Sequence, residues 1–325
     1  MFKKKLGFLL GVMLLLSLAG YLVCLSVGGE KQLNNEDEFL LVTSFYPMYV
    51  LAENLTEGVE EVRVVNLTEN QTGCLHDYQL TSRDMKLLSQ ADAFLINGAG
   101  MELFMEKVME NQTELTVIEA SHGIALLEGT AHHHGHEEEE PEQEETHETE
   151  HGAHSHEENG HVWMDLERYE QQADTVKEAL VQCLPKQKDA LEQAYSDYKN
   201  KLDVLKEKQE VLKEITAGEH VVIFHEAFAY LAEGLGMEVL MALSLDEETV
   251  PSAGEIAEVI EEINYHGHAL IFIEEAYAEY AEKILAETKA EVVYLNPLTT
   301  GNGAEESYLL EMQKNLEAIK EVIDK

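Results

Sequence analysis

Short, continuously apolar runs recur along the chain, and each is followed by a stretch of helical spacing. FLLVTSF (39–45) precedes YPMYVLAENLT, EVRVVNL (61–67) precedes TSRDMKLLSQ, DAFLIN (92–97) precedes MELFMEKVME, and LTVIEA (115–120) closes the series. The rhythm restarts with HVVIF (220–224), EVLMAL (238–243), ALIFI (269–273) and EVVYL (291–295), each again followed by a helical pattern. Apolar strands without alternation, separated by helices, belong to parallel sheets covered on both faces. The pattern therefore predicts an α/β chain of two lobes, each with a four-stranded parallel sheet covered by helices. Between the lobes Leu191, Tyr195, Tyr198, Leu202, Leu205, Leu212 and Ile215 recur at steps of three, four and seven, the stripe of one long helix. Pro185 suits its first turn, and at 1.5 Å per residue the segment 186–216 spans roughly 45 Å. The expected boundaries are an N-terminal lobe at 39–184, a rigid linker helix at 185–217 and a C-terminal lobe at 218–325.

The first 27 residues follow a different rule. MFKKK is a positive flank, and 6–27 is an apolar run without a charge, long enough to cross a bilayer, for which about 20 residues suffice. Residues 1–27 read as a signal peptide or an N-terminal membrane anchor, and polar 28–38 as a tether. Cys24 ends the apolar run and is a candidate for lipidation, although the preceding YLV lacks the small residue usual there. The remainder is expected outside the cytoplasmic membrane, anchored there or periplasmic after cleavage. Beyond this segment only Cys74 and Cys183 remain. They make no disulfide framework, and whether they pair is left open.

Charge narrows the partners. The formal net charge is −42, a surface that repels phosphate backbones and excludes nucleic acid as a partner, while suiting cations. Part of it sits in one tract, 131–160, where glutamates crowd around His132, His133, His134, His136, His147, His151, His154 and His156. With no apolar periodicity this tract reads as a disordered loop on the first lobe. Its composition is that of an accessory metal binder.

Seven histidines lie elsewhere. His76 falls in the loop after strand 61–67 and His225 directly after strand 220–224, at the carboxyl edges where open α/β sheets collect ligands. His161, in GHVWMDLERY, follows the tract and precedes a helix. Three neutral imidazoles meeting between the lobes would suit Zn²⁺, and would disfavour the oxygen-seeking Ca²⁺, Mg²⁺ and Mn²⁺. His122, His220, His266 and His268 read as surface or structural side chains.

The segments HDYQLTSRDMKLLSQADAFLINGAGME (76–102), HVWMDLERY (161–169), HEAFAYLAEGLGME (225–238) and NPL (296–298) resemble the zinc and manganese solute-binding proteins of bacterial ABC-type importers. The resemblance covers essentially the whole exported chain. It implies two α/β lobes joined by one long helix, a metal site in the interlobe cleft with His76, His161 and His225 as ligands, and a zinc cargo. It also implies a membrane permease and ATPase as partners of a monomeric binding protein that is not an enzyme. A third histidine and a His-rich acidic loop mark the zinc-selective branch. The fourth ligand departs from the family. Asn296 and Thr299 stand where many members have Asp or Glu around the PL pair, and Leu75 stands where some have Glu. Water, Asn296 and Cys74 are the fourth-ligand candidates, with Glu274 and Glu275 at the same sheet edge as orienting carboxylates. The rival readings are a manganese-binding protein or adhesin of the same family, and a zinc hydrolase. HEAFA has Ala229 where the zincin motif H-E-x-x-H needs histidine.

Overall fold

The computed structural model describes residues 38–68, 75, 78–111, 113–129, 158–243, 251–304 and 306–325. The segment 1–27 with Cys24, residues 28–37 of the tether, Cys74, His76 and the eight tract histidines lie outside the described residues. The first four apolar runs form β1 (Phe39–Thr43), β2 (Val62–Asn66), β3 (Ala93–Ile96) and β4 (Thr116–Glu119). The last four form β7 (His220–Ile223), β8 (Glu238–Ala242), β9 (Leu270–Ile273) and β10 (Glu291–Tyr294). Two-residue strands β5 (Leu127–Glu128) and β6 (Glu158–Asn159) pair antiparallel. The helices are α1 (Tyr46–Leu55), α2 (Ser82–Leu88), α3 (Met105–Asn111), α4 (Leu166–Cys183), α5 (Lys188–Thr216), α6 (Ala227–Gly234), α7 (Ala253–His266), α8 (Ala278–Leu285) and α9 (Ser307–Ile323). Among the described residues no helix is long and apolar enough to cross a membrane.

The two sheets share one topology. The first runs β2-β1-β3-β4 and the second, read from its far edge, β8-β7-β9-β10, all parallel. In each, the first strand lies between the second and the third, so the chain reverses direction across the sheet beside it. Such a switch point opens a crevice at the strands' carboxyl ends. The N-terminal switch point lies beyond β1 and β3, and the C-terminal one beyond β7 and β9.

Helix α5 buries Leu191, Ala194, Tyr198, Leu202, Leu205, Gln209, Leu212 and Thr216, steps of three and four that track 3.6 residues per turn. The expected stripe holds except at its end. Ile215 points outward, 47% exposed, while Thr216 turns inward and its single hydroxyl proton is shared between the carbonyls of Leu235 at 2.8 Å and Leu212 at 3.1 Å. Pro185–Gln187 forms a separate 3-10 turn ahead of the helix. Leu41 and Leu95 of the first sheet, Trp163, Tyr169, Tyr198 and Leu202 between the sheets, and Val221, Leu270 and Tyr308 of the second half belong to one continuous core. Residues 39–325 accordingly form one compact unit. Polar contacts bolt the halves together inside it. Tyr46 Oη donates to Ser307 Oγ at 2.6 Å, Tyr308 Oη to the Trp163 carbonyl at 2.6 Å, and Trp163 Nε1 to the Pro297 carbonyl at 2.9 Å.

One helix starts later than the sequence predicts. MELFMEKVME reads as helical from residue 101, yet α3 begins at Met105. Gly98, Ala99 and Gly100 all take positive φ, and Glu102 reaches back to close the turn they make. Its carboxylate accepts from Ser44 Oγ and Asn97 N–H at 2.8 Å and from Gly98 N–H at 3.0 Å. Burial raises this carboxyl to about 7 despite the three donors. The native chain therefore holds a proton that the unfolded chain, with an ordinary value of 4.5, has released. That contribution to stability is complete below the ordinary value and disappears as pH rises through the native one. Urea unfolding across this window should show a flatter pH dependence in Glu102→Gln than in the parent. Equal slopes would mean the carboxyl titrates normally.

Candidate metal centre

The two switch points converge on the segment Asn159–Gly160–His161. On the C-terminal side, β7 runs through Phe224, whose N–H donates to the Phe272 carbonyl of β9's strand at 2.9 Å, and delivers His225 to the crevice. Strand β9 delivers Glu274 beside it, with Oε1 3.2 Å from His225 Nδ1. On the N-terminal side, β3 is followed directly by Asn97, whose Nδ2 donates to the Gly160 carbonyl at 2.9 Å. Gly160 is pressed so close to the 98–101 turn that a Cβ there would meet Met101 Cγ at 2.6 Å and the Ala99 carbonyl at 2.7 Å. Only glycine fits this approach.

His161 and His225 are thereby brought together from distant parts of the chain. Their ring centroids are 5.1 Å apart, edge to face at 79°, and the residues are 2% and 8% exposed. His161 Nδ1 lies 2.9 Å from Asn159 Oδ1, which can only accept. Glu274 Oε1 stands beside His225 Nδ1 as an ion-pair contact, and at His161 the oxygen acceptor beside Nδ1 puts the neutral ring's proton on Nδ1 and its lone pair on Nε2. This is the tautomer that ligates a metal through Nε2 while a partner holds the other nitrogen. Trp163, fully buried, packs against His161 with ring centroids 5.2 Å apart.

The remaining predicted residues are placed as follows. Leu75, immediately before His76, is fully buried in the main core, and Tyr78 N–H donates to its carbonyl at 3.0 Å. Among the described residues, no group of three His, Cys, Asp or Glu side chains is arranged around one metal position. Asn296 Oδ1 accepts from Leu298 N–H at 2.8 Å, closing a turn in which Leu298 has φ 62°. Its Nδ2 points to Glu311 Oε2 at 3.4 Å. Glu275 is exposed in the 3-10 turn that follows Glu274, and His122 is exposed. His220 and His266 stack edge to face at 4.5 Å on the surface, 3.6 Å from Glu238 and 3.2 Å from Glu262 respectively. His268 Nδ1 meets the Lys289 carbonyl at 3.0 Å. Cys183 is a free thiol, raised by burial.

Two residues that shape the site carry no sequence signal strong enough to single them out. Asn159 falls inside the range expected to lack structure, yet Glu158–Asn159 form β6. Tyr230, on α6, donates to the Asn159 carbonyl at 2.6 Å and accepts from Leu127 N–H at 3.1 Å. The one available cue is position, since Asn159 stands two residues before a candidate ligand.

Residues 41–322 match the family described as zinc-uptake complex component A, periplasmic (ZnuA). The chain is 24% identical over 320 residues to the zinc-binding protein AdcA of Streptococcus pyogenes serotype M3, covering 96% of this chain and 61% of that protein. It thus spans about three fifths of the length of that streptococcal relative. It is 27% identical over 293 residues to the high-affinity zinc uptake system protein ZnuA of Bacillus subtilis, covering 88% of each. The crystal structure of Zn(II)-bound AdcA from Streptococcus pneumoniae superposes with a TM-score of 0.69 at 26% identity, over 89% of this chain and 58% of that one.

Proposed function

The chain belongs to the family of periplasmic zinc-uptake component A proteins, and from that membership we propose that it captures Zn²⁺ outside the cytoplasmic membrane and delivers it to an ABC-type permease. The observation that carries the reading is the pair of buried imidazoles, His161 and His225, facing each other at 5.1 Å with an oxygen beside each Nδ1. His76 is the third ligand of this reading, and water or a side-chain oxygen completes a tetrahedral set. Glu274 stands beside His225 Nδ1 and would orient that ring toward the ion. No bond is made or broken: the protein binds, the permease accepts the ion, and the partner ATPase drives the transport. Residues 1–27 export the chain, which is then held at the membrane through the apolar segment or a lipid on Cys24, or is periplasmic after cleavage. The working unit is a monomer.

The tract supports capture. Tethering its histidines to the same chain as the principal site holds those ligands near millimolar effective concentration. On this reading its eight histidines bind zinc more weakly than the cleft does. Zinc titration in competition with a chelator should find one tightly held ion per chain both with and without residues 132–157. The weaker ions should vanish with the deletion. Loss of the tight ion on deletion would make the tract the principal site and refute the assignment to the cleft.

A further inference from the structure

We infer that Asn159 is the positioning residue of the metal centre, fixing the tautomer of His161 and bracing it against the segment that carries His225. The inference rests on the zinc-capture reading and adds to it a residue that touches no metal.

Asn159 is 1% exposed, and its polar groups point to different parts of the site. Oδ1 accepts from the His161 N–H at 3.0 Å and lies 2.9 Å from His161 Nδ1. Nδ2 donates to the carbonyl of Glu226, the residue directly after His225, at 2.9 Å. That donation sets the orientation of the amide, because only its nitrogen can face a carbonyl. The oxygen must then face the imidazole, so His161 must carry its proton on Nδ1. The carbonyl of Asn159 accepts from Tyr230 Oη at 2.6 Å, and the same hydroxyl accepts from Leu127 N–H at 3.1 Å. Leu127 and Asn159 are paired partners in β5 and β6, the two strands from which the histidine tract departs and to which it returns. One hydroxyl on α6 therefore pins both ends of the tract's root.

The amide thus links one candidate ligand to the backbone beside another. Gly160, seated on the Ala99 carbonyl and held by Asn97 Nδ2, fixes the same strap to the opposite lobe. A free histidine side chain in water prefers its proton on Nε2, the nitrogen that must be bare to ligate. Asn159 reverses that preference before the ion arrives. Partners of this kind typically change metal affinity about 10–100-fold when removed.

The test uses the full-length chain with zinc as the probe, following affinity by chelator competition and the His161 ring by ¹⁵N NMR without metal. Asn159→Ala should raise the zinc dissociation constant about 10–100-fold and move the His161 proton toward Nε2. Asn159→Asp keeps the acceptor at the ring but loses the donor to Glu226. It should retain the Nδ1–H form and lose less affinity than the alanine variant, and it preserves side-chain size should alanine fail to fold. Tyr230→Phe should release the tract's root and leave the His161 tautomer unchanged. If the Nε2–H form dominates in Asn159→Asp, or if Asn159→Ala leaves both tautomer and affinity as in the parent, the positioning role is refuted. His161→Ala is the control that separates the two readings. If it leaves zinc affinity intact, the site assignment itself fails. If it abolishes tight binding while Asn159→Ala changes nothing, the role of Asn159 alone fails.

Discussion

Replacing His161 or His225 by alanine should raise the zinc dissociation constant by about 100-fold or more. Zinc held by four ligands in a folded protein is worth about 10–16 kcal/mol near neutral pH, so one ligand supplies roughly 3 kcal/mol, and each 1.4 kcal/mol is tenfold. The two substitutions should behave alike, because the rings lie in one cluster 5.1 Å apart and each has an oxygen beside its Nδ1. Their effects should also fail to add, since the second removal acts on a site already broken. Trp163, the single tryptophan of the chain, lies 5.2 Å from His161, so its fluorescence should change on zinc addition in the parent and stay flat in His161→Ala. Chelator competition and this fluorescence titration measure the same loss independently. An unchanged affinity in either variant would remove that histidine from the site.

The second large effect concerns stability. Trp163 is fully buried, meets Phe45 edge to face at 5.0 Å, and joins the halves by donating to the Pro297 carbonyl while its own carbonyl accepts from Tyr308. Trp163→Ala leaves a large cavity, and such truncations remove about 3–5 kcal/mol. The buried Pro297 carbonyl loses its donor as well, a further contribution of about 1–3 kcal/mol. Urea unfolding of the zinc-free chain should show a loss of at least about 3 kcal/mol. Trp163→Phe, which keeps most of the volume and loses the N–H, should fall between the parent and alanine. A loss below about 1 kcal/mol in the alanine variant, the size of an average substitution, would contradict a close-packed floor beneath the site.

The fold is legible in the sequence because its signals are local. Continuous apolar runs such as ALIFI and DAFLIN can be buried on both faces only in a parallel sheet, and each becomes a strand. The stripe on α5 is read correctly as far as Leu212. It fails at Ile215 because an apolar side chain there is exposed, while Thr216 satisfies its hydroxyl on two carbonyls and can be buried. The late start of α3 is not visible because it depends on Glu102 folding back over three residues of positive φ, a tertiary closure by a residue that otherwise favours helix.

The site divides in the same way. His225 and Glu274 are legible because each directly follows an apolar strand, and adjacent parallel strands deliver them side by side. Asn159 is not, because its role depends on distances to Glu226 and Tyr230, 67 and 71 residues away, that no spacing along the chain reveals. Asn296 lies between the two. Its position in NPL marks it as a ligand candidate, and what spacing along the chain does not reveal is that its oxygen also accepts from the Leu298 N–H in a turn where leucine takes positive φ.

The central claim is that His76, His161 and His225 surround one zinc ion between the two sheets. Anomalous diffraction at the zinc edge from crystals of the zinc-loaded chain locates that ion directly. One strong peak is expected at about 2.0–2.1 Å from a nitrogen of each of the three rings, with Asn159 and Glu274 still against His161 and His225. A strong peak held by tract histidines alone, or a His76 ring far from a zinc bound at the other two, would contradict it.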